Sequence, residues 1–303
     1  MASGKRNLKV VPRPQKRNAP ARPQPPLVSG RWLLIAVCTT FVAAAVCAWG
    51  TMCLLFWQGS WQLLYHPKAT ITRTPANVGI HFYPVGFAAT QTGQLRLRGW
   101  WIPAAPGARL ANLTILYLHG ASGNMSDSVD ALAALHAAGV TVFTFDYRGY
   151  GDSQFAHPSE ANWREDVSWA LSYLTGTRLL PPRAIVLDGT GLGADLAAEV
   201  AAAHPELAGI VLDSPIPHAA DVIFQDPRAN LVPARLLVRD RWNLDAAASA
   251  VRIPSLWIVP AKDAHVLAAY DRSPGHKSLF RAGASGGQFP STLTNWLENL
   301  PQP

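Results

Sequence analysis

The chain has 303 residues, of which 49% are hydrophobic and 15% are charged. This length and composition fit one large globular domain with appendages. The net charge of +7 originates in residues 1–31, which hold eight basic side chains and no acidic one, whereas the remainder holds 18 basic and 19 acidic residues. The basic character therefore belongs to the N-terminal segment and gives no support for a nucleic-acid-binding domain.

The N-terminal part of the chain predicts a tail followed by a membrane span. Residues 1–31 are rich in Pro, Arg, Lys, Gln and Asn, which indicates a disordered tail. Residues 32–57 carry no charge, and a helix of that length exceeds the hydrocarbon thickness of a bilayer. The first charge after the span is Lys68, so the positive-inside rule places the tail in the cytoplasm and residues 58–303 outside. We therefore expect a single-pass protein of the bacterial inner membrane with a periplasmic domain.

A cleaved signal peptide is the alternative interpretation of this span. The sequence "VCA" at 46–48 resembles a cleavage site, although the apolar run continues well past it. The three cysteines, Cys38, Cys47 and Cys53, all lie inside the span. The exported part thus has no cysteine for a disulfide or a thiolate metal site, which is compatible with an oxidising compartment.

A linker over 58–75 is expected to precede a domain over 76–303 in which strands and helices alternate. An antiparallel opening pair is predicted over 81–87 and 95–104. The further predicted strands are 113–120, 140–149, 184–189, 207–215, 255–263 and 277–283, and the predicted helices are 126–139, 159–176, 195–204 and 290–300. Apolar, β-branched strands separated by helices predict an α/β fold with a mostly parallel sheet covered on both faces. Residues 216–250 are left open as a lid or a connecting helix.

Five motifs stand in the order found in a known family: "LYLHGASGN" (116–124), "FDYRGYGDS" (145–153), "GTGLGA" (189–194), "LDSP" (212–215) and "IPSLWIVPAKDAHV" (253–266). In these motifs the chain resembles the α/β-hydrolases, and most closely the membrane-anchored serine hydrolases related to monoacylglycerol lipases and serine aminopeptidases. The resemblance implies the α/β-hydrolase fold. It also implies a catalytic serine, histidine and acid at known places in that fold.

Two of the three catalytic positions are substituted. Gly191 stands where the Gly-x-Ser-x-Gly pattern places the nucleophile, and a residue without a side chain cannot attack a carbonyl. The loop expected to carry the histidine, residues 282–289, contains none, and the nearest preceding histidine, His276, is expected at the opposite end of its strand. Asp263 occupies the acid position, with a surface turn aspartate as the alternative interpretation.

The oxyanion region and its pocket are expected around five residues: His119, Gly120, Ala121, Ser122 and Leu192. Simple loop geometry is an equal explanation for the His-Gly pair. Three hydroxyls are possible substitute nucleophiles: Thr190 beside the elbow, Ser122 in the loop after 113–120, and Ser285 in the loop expected to carry the histidine. A one-residue shift turns the Thr190 side chain away from the site, and Ser122 has no evident base, which an activated hydroxyl requires. "GTGLGA" lacks the third glycine of a dinucleotide fingerprint, and no histidine pair has zinc spacing. We expect no cofactor and no metal.

These observations lead to three functional hypotheses. The first is a catalytically degenerate hydrolase-fold protein that binds a lipid-like or acyl ligand, or an envelope protein partner. The second is an active esterase, lipase or peptidase with a non-standard nucleophile. The third is a structural scaffold in an envelope complex. All three share the membrane as a partner and exclude nucleic acid.

Overall fold

The computed structural model describes residues 28–260, 263–282 and 289–301. The described chain divides into two units after Trp49, and the second, folded unit begins at Gly50. Helix α1, Gly30–Gly59, contains the predicted span 32–57. Among the described residues it is the one helix long and apolar enough to cross a bilayer.

The folded unit is built on a large mixed sheet. Within the described residues the strands are β1 His66–Pro67, β2 Tyr83–Ala89, β3 Leu95–Ile102, β4 Thr114–Leu118, β5 Ser122–Gly123, β6 Thr141–Asp146, β7 Ile185–Thr190, β8 Gly209–Asp213, β9 Ser255–Pro260 and β10 Lys277–Ala282. Eight of them form one sheet in the order β10-β9-β8-β7-β4-β6-β3-β2, and β1 pairs with β5 separately. Within the described residues the antiparallel pairs of the large sheet are β2–β3, which is the predicted opening pair, and β3–β6, which the sequence did not predict. Strands β4 and β6 are buried along their whole length, which explains their unbroken apolar sequences.

Helices cover both faces of this sheet. After α1 the helices of the described chain are α2 Val129–Ala137, α3 Glu160–Ser172, α4 Leu192–Ala203, α5 Asp221–Gln225, α6 Ala234–Leu237, α7 Leu244–Ala250, α8 Ala264–Arg272 and α9 Phe289–Glu298. Helices α2 and α9 contribute to one hydrophobic core, while α3, α4, α7 and α8 contribute to the other. Ser159, the first residue of the predicted helix 159–176, caps α3 by accepting a hydrogen bond from the Asn162 N–H (3.2 Å).

Three parts of the chain differ from the expectation. The folded unit begins ahead of residue 76 because Leu64 and Tyr65, in the predicted linker, are buried, Tyr65 to 1% exposure. The segment 216–250, whose structure was left open, forms the short helices α5, α6 and α7. The strand predicted over 255–263 ends at Pro260, and helix α8, which was not predicted, follows it.

Candidate functional site

The turn between β7 and α4 has the backbone that a nucleophile would need. Gly191 has φ 56° and ψ −124°, a conformation that strains residues with a side chain. Its N–H donates to the carbonyl oxygen of Asp213 (2.9 Å), which ties the turn to the end of β8. Among the described residues, a β-carbon on Gly191 would meet Cδ1 of Ile216 alone within 4 Å, at 3.7 Å. The turn therefore has room for a side chain that the sequence does not supply.

The two glycines that flank Gly191 are required by packing. A β-carbon on Gly189 would overlap the backbone oxygen of Gly193, and one on Gly193 would overlap the backbone oxygen of Leu118. Helix α4 can approach strands β7 and β4 this closely only if neither position carries a side chain. The glycines at 189 and 193 thus have a structural cause that is independent of chemistry.

Ile216 is held over the turn by a buried aspartate. Its backbone N–H donates to Oδ1 of Asp195 in the first turn of α4 (3.0 Å). Burial raises the pKa of Asp195 well above its ordinary value. The segment that follows β8 is thereby fixed next to Gly191.

The loop after β4 carries the expected oxyanion residues. The His119 ring is buried, its Nδ1 donates to the Gly120 carbonyl oxygen (2.8 Å), and its Nε2 lies 3.3 Å from Oδ1 of Asp146. Two buried tyrosines hold the loop through hydrogen bonds. The Tyr147 hydroxyl donates to the His119 carbonyl oxygen (3.2 Å), and the Tyr150 hydroxyl donates to the Ala121 carbonyl oxygen (2.8 Å). The His119 side chain therefore serves the geometry of this loop.

The remaining residues predicted for the pocket lie around this loop. Leu192, buried, begins α4 directly after Gly191. Ser122 is exposed in β5, where the register of the short parallel pair places it opposite His66 of β1. Thr190 is half-buried at the end of β7, and Ser285 lies outside the described residues.

Asp263 caps helix α8. Its Oδ1 accepts hydrogen bonds from the N–H groups of His265 and Val266, both at 3.1 Å. This gives Asp263 a structural role, and its assignment as a triad acid stays a prediction. His276 precedes β10, and its carbonyl oxygen accepts from the Ser255 N–H (2.8 Å) at the start of β9. It therefore lies at the end of the sheet opposite to the β7–α4 turn.

Sequence reasoning missed two pairs of side chains near the carboxyl ends of the strands. The rings of His218 and His265 lie 5.9 Å apart, edge to face, and both residues are exposed. Only the fold brings them together, because they follow different strands. Asp188 of β7 and Asp213 of β8 form the second pair: burial, and then the negative charge of Asp213, raise the pKa of Asp188 to about 8.

The chemistry available at the site follows from these contacts. The β7–α4 turn presents Gly191 where a hydroxyl-bearing residue would stand, and the neighbouring loop after β4 is held by hydrogen bonds from Tyr147 and Tyr150. Ser214 is the hydroxyl at the end of β8, and it donates to Oδ1 of Asp213 (2.9 Å). Among the described residues no cluster of three or more His, Cys, Asp or Glu side chains is arranged to hold a metal ion. The turn supplies no side chain, and therefore no nucleophile, at Gly191.

Comparison with known proteins gives the same family at the levels of sequence and fold. Residues 114–241 match the model of the alpha/beta hydrolase fold family. The chain is 31% identical over 214 residues to the uncharacterized protein Rv2307c of Mycobacterium tuberculosis, covering 69% of this chain and 72% of that protein. It is 32% identical over 220 residues to the uncharacterized protein YfhR of Salmonella typhi, covering 66% and 73% respectively.

A solved structure supports the fold. The Pyrococcus furiosus esterase Pf2001 superimposes with a TM-score of 0.61 at 18% identity, over 78% of this chain and 98% of the esterase. At that identity the likeness concerns the fold alone, whereas the family rests on the family-model match and on the relatives named above. The chain therefore belongs to the α/β-hydrolase family.

Proposed function

We propose that this chain is a membrane-anchored α/β-hydrolase-fold protein that binds a lipid-like or acyl ligand, or an envelope protein, without hydrolysing it. The observation that carries the proposal is Gly191: its backbone has the strained conformation of the elbow, and among the described residues a β-carbon there would touch only the side chain of Ile216, yet no hydroxyl stands at this position. The 282–289 loop supplies no histidine in its sequence. Loss of one member of a catalytic triad already removes several powers of ten in rate.

Hydrolysis by the purified full-length chain tests catalytic silence. The substrates are nitrophenyl esters of short and medium acyl chains, with a heat-inactivated sample as the control. We expect no turnover above that control and no covalent adduct with a fluorophosphonate probe. Turnover that disappears in Ser122→Ala or Thr190→Val, or a probe adduct mapped to one of these residues, would establish the alternative of an active hydrolase.

Restoring the missing groups tests the same idea in the other direction. Gly191→Ser supplies the nucleophile, and a histidine at Gly286 or Gly287 supplies a base. Gly191→Ser alone is expected to remain inactive because the sequence of the 282–289 loop supplies no histidine to accept its proton. Labelling of Gly191→Ser by the fluorophosphonate probe, without the added histidine, would show that a base is already present beside the turn.

The membrane topology is part of the proposal, because basic residues before α1 favour a cytoplasmic tail and an extracytoplasmic domain. A chain with its three native cysteines replaced by alanine carries a single new cysteine, either Thr92→Cys in an exposed turn or Ser3→Cys in the tail. A membrane-impermeant maleimide should label Thr92→Cys in intact spheroplasts and Ser3→Cys only after permeabilisation. The reverse pattern would invert the topology.

A further inference from the structure

A cavity of about 350 Å³ lies at the end of α1, away from Gly191. It opens between the last turn of that helix and the segment 237–240. The side chains that matter for its chemistry are Trp57, Trp61, His157, Ser159, Arg239 and Asp240. None of the oxyanion or elbow residues lines it, so it is separate from the site described above.

The position of the cavity along α1 places it at the depth of lipid headgroups. About 20 helical residues cross the hydrocarbon core, so a span that starts at Trp32 leaves the core near Thr51. The folded unit begins at Gly50, and Phe56 in the next turns is buried. Trp57 and Trp61 follow directly, which is where aromatic residues meet the headgroup region. This step rests on the proposed membrane anchorage of α1.

Arg239 contributes a positive charge to the cavity wall. Its guanidinium lies 5.3 Å from the ring centroid of Trp57, and it has no ion pair among the described residues. The neighbouring carboxylate is already engaged, because Oδ2 of Asp240 accepts from the Tyr65 hydroxyl (2.6 Å) and Oδ1 accepts from the Glu160 N–H (3.2 Å). A guanidinium stacked on an indole and facing a cavity is suited to a phosphate oxygen.

Further side chains complete a polar wall. The His157 ring packs on Trp61 with centroids 4.9 Å apart and is exposed. Ser159, the cap of α3, stands beside it in the cavity wall. These groups add hydrogen-bonding capacity next to Arg239. Together the polar groups suit a phosphodiester better than a bare ion.

Apolar side chains flank the polar wall on the side of the 216–250 segment. Ile223, Leu237 and Val238 line the cavity, and Leu236 next to them is 84% exposed. Leu231 is also exposed. Apolar residues exposed beside a membrane helix are favourable when they contact acyl chains.

We infer that this cavity binds a glycerophospholipid of the surrounding leaflet, with its phosphodiester on Arg239 and its acyl chains along the exposed leucines. The lipid would be a lasting partner of the fold, distinct from any ligand held near Gly191.

Native mass spectrometry of the delipidated full-length chain in detergent tests this inference. The probes are palmitoyl-oleoyl-phosphatidylglycerol, dioleoylglycerol as its phosphate-free counterpart, and inorganic phosphate. Arg239→Gln is compared with Arg252→Gln, which removes the same charge from an exposed position before β9. We expect Arg239→Gln to weaken phosphatidylglycerol binding about tenfold, the value of one charge-assisted hydrogen bond, and Arg252→Gln to leave it unchanged.

The remaining ligands and a membrane extraction give the outcomes that would overturn the inference. Dioleoylglycerol should bind more weakly than phosphatidylglycerol to the wild type and equally to both variants. Equal phosphatidylglycerol affinity for wild type and Arg239→Gln overturns the inference, and so does inorganic phosphate binding as tightly as the phospholipid. Alkaline carbonate extraction of membranes separates the two proposals: release of the chain refutes the anchorage, whereas retention with an unchanged Arg239→Gln titration refutes only the lipid site.

Discussion

Cδ1 of Ile216 lies 3.7 Å from the place where a β-carbon on Gly191 would stand. This is ordinary van der Waals contact, and Ile216 is 38% exposed. A small side chain at Gly191 would therefore touch an isoleucine that can adjust, rather than a fixed backbone. A β-carbon on Gly189 or Gly193 would instead meet backbone oxygens. The resulting difference in stability between variants can be measured.

Alanine at Gly191 should cost far less stability than alanine at Gly193. Gly191→Ala should lose about 1–3 kcal/mol of stability, because a side chain is strained at a positive φ. Gly193→Ala also drives a β-carbon into the backbone of Leu118 in a central strand, so we expect a loss above ~3 kcal/mol or no folded protein. Urea unfolding of the full chain in detergent, followed by tryptophan fluorescence, gives the comparison. Equal losses in the two variants would contradict the packing role assigned to Gly193.

Asp188 should make the protein less stable as pH rises. Burial and the charge of Asp213 raise its folded-state pKa to about 8, whereas an unfolded aspartate titrates near ~3.9. Between these values the folded state holds a proton that the unfolded state has lost, so the free energy of unfolding falls with increasing pH. The contribution is fully present below about pH 4 and is lost by about pH 8.

Asp188→Asn removes this dependence because an amide does not ionise. We expect the variant and the wild type to melt alike near pH 4, and the variant to be more stable by at least ~1 kcal/mol near pH 9. Thermal melts over this pH range measure the difference. Asp152→Asn, at an exposed position, is the control and should follow the wild type. Parallel curves for wild type and Asp188→Asn would show that Asp188 is ionised throughout.

Glu160 should contribute strongly to the attachment of the 216–250 segment. Its buried carboxylate accepts from the backbone N–H groups of Arg241 (2.5 Å) and Trp242 (3.3 Å) and pairs with Arg164. Glu160→Ala leaves these groups without their acceptor, and we expect a loss of about 3 kcal/mol. Glu165→Ala removes a half-exposed partner of Arg148 and should cost less than ~1 kcal/mol. Chemical unfolding of both variants makes the test, which fails if the two losses are equal.

Removal of the Tyr65 hydroxyl should lower the stability of the folded protein. The Tyr65 hydroxyl donates to Asp240 and accepts from Nε1 of Trp242 (2.9 Å). Tyr65→Phe keeps the ring but leaves both partners unsatisfied, which costs about 1–3 kcal/mol. Tyr83→Phe, at a side chain that is 51% exposed, should stay within ~0.5 kcal/mol of the wild type. Thermal unfolding compares the two, and a neutral Tyr65→Phe would refute the role of this hydrogen-bond pair.

Local sequence signals account for most of the fold. Strands such as β4 and β6 are apolar without interruption because both of their faces are covered, and the cap at Ser159 is visible as a side chain before a periodic helix. Helix α8 was missed because Asp263 was assigned to the end of a strand, although aspartate before a helix is itself a capping signal.

The candidate site was less predictable because its geometry is made by residues far apart in the chain. The glycine pattern at 189–193 is local and was readable. The bond from Ile216 to Asp195 and the approach of His218 to His265 depend on how α4, α8 and the segment after β8 pack together. No periodicity or motif encodes those distances, so only the folded chain reveals them.

The obstruction at Gly189 and Gly193 has an evolutionary consequence. Side chains at these two positions clash with the backbone whether or not the protein turns over a substrate, whereas the position between them carries only the smaller cost of a positive φ. A lineage that abandons hydrolysis can thus discard its serine and still display the glycines of a hydrolase. Searches that weigh those glycines will go on grouping silent members with active ones.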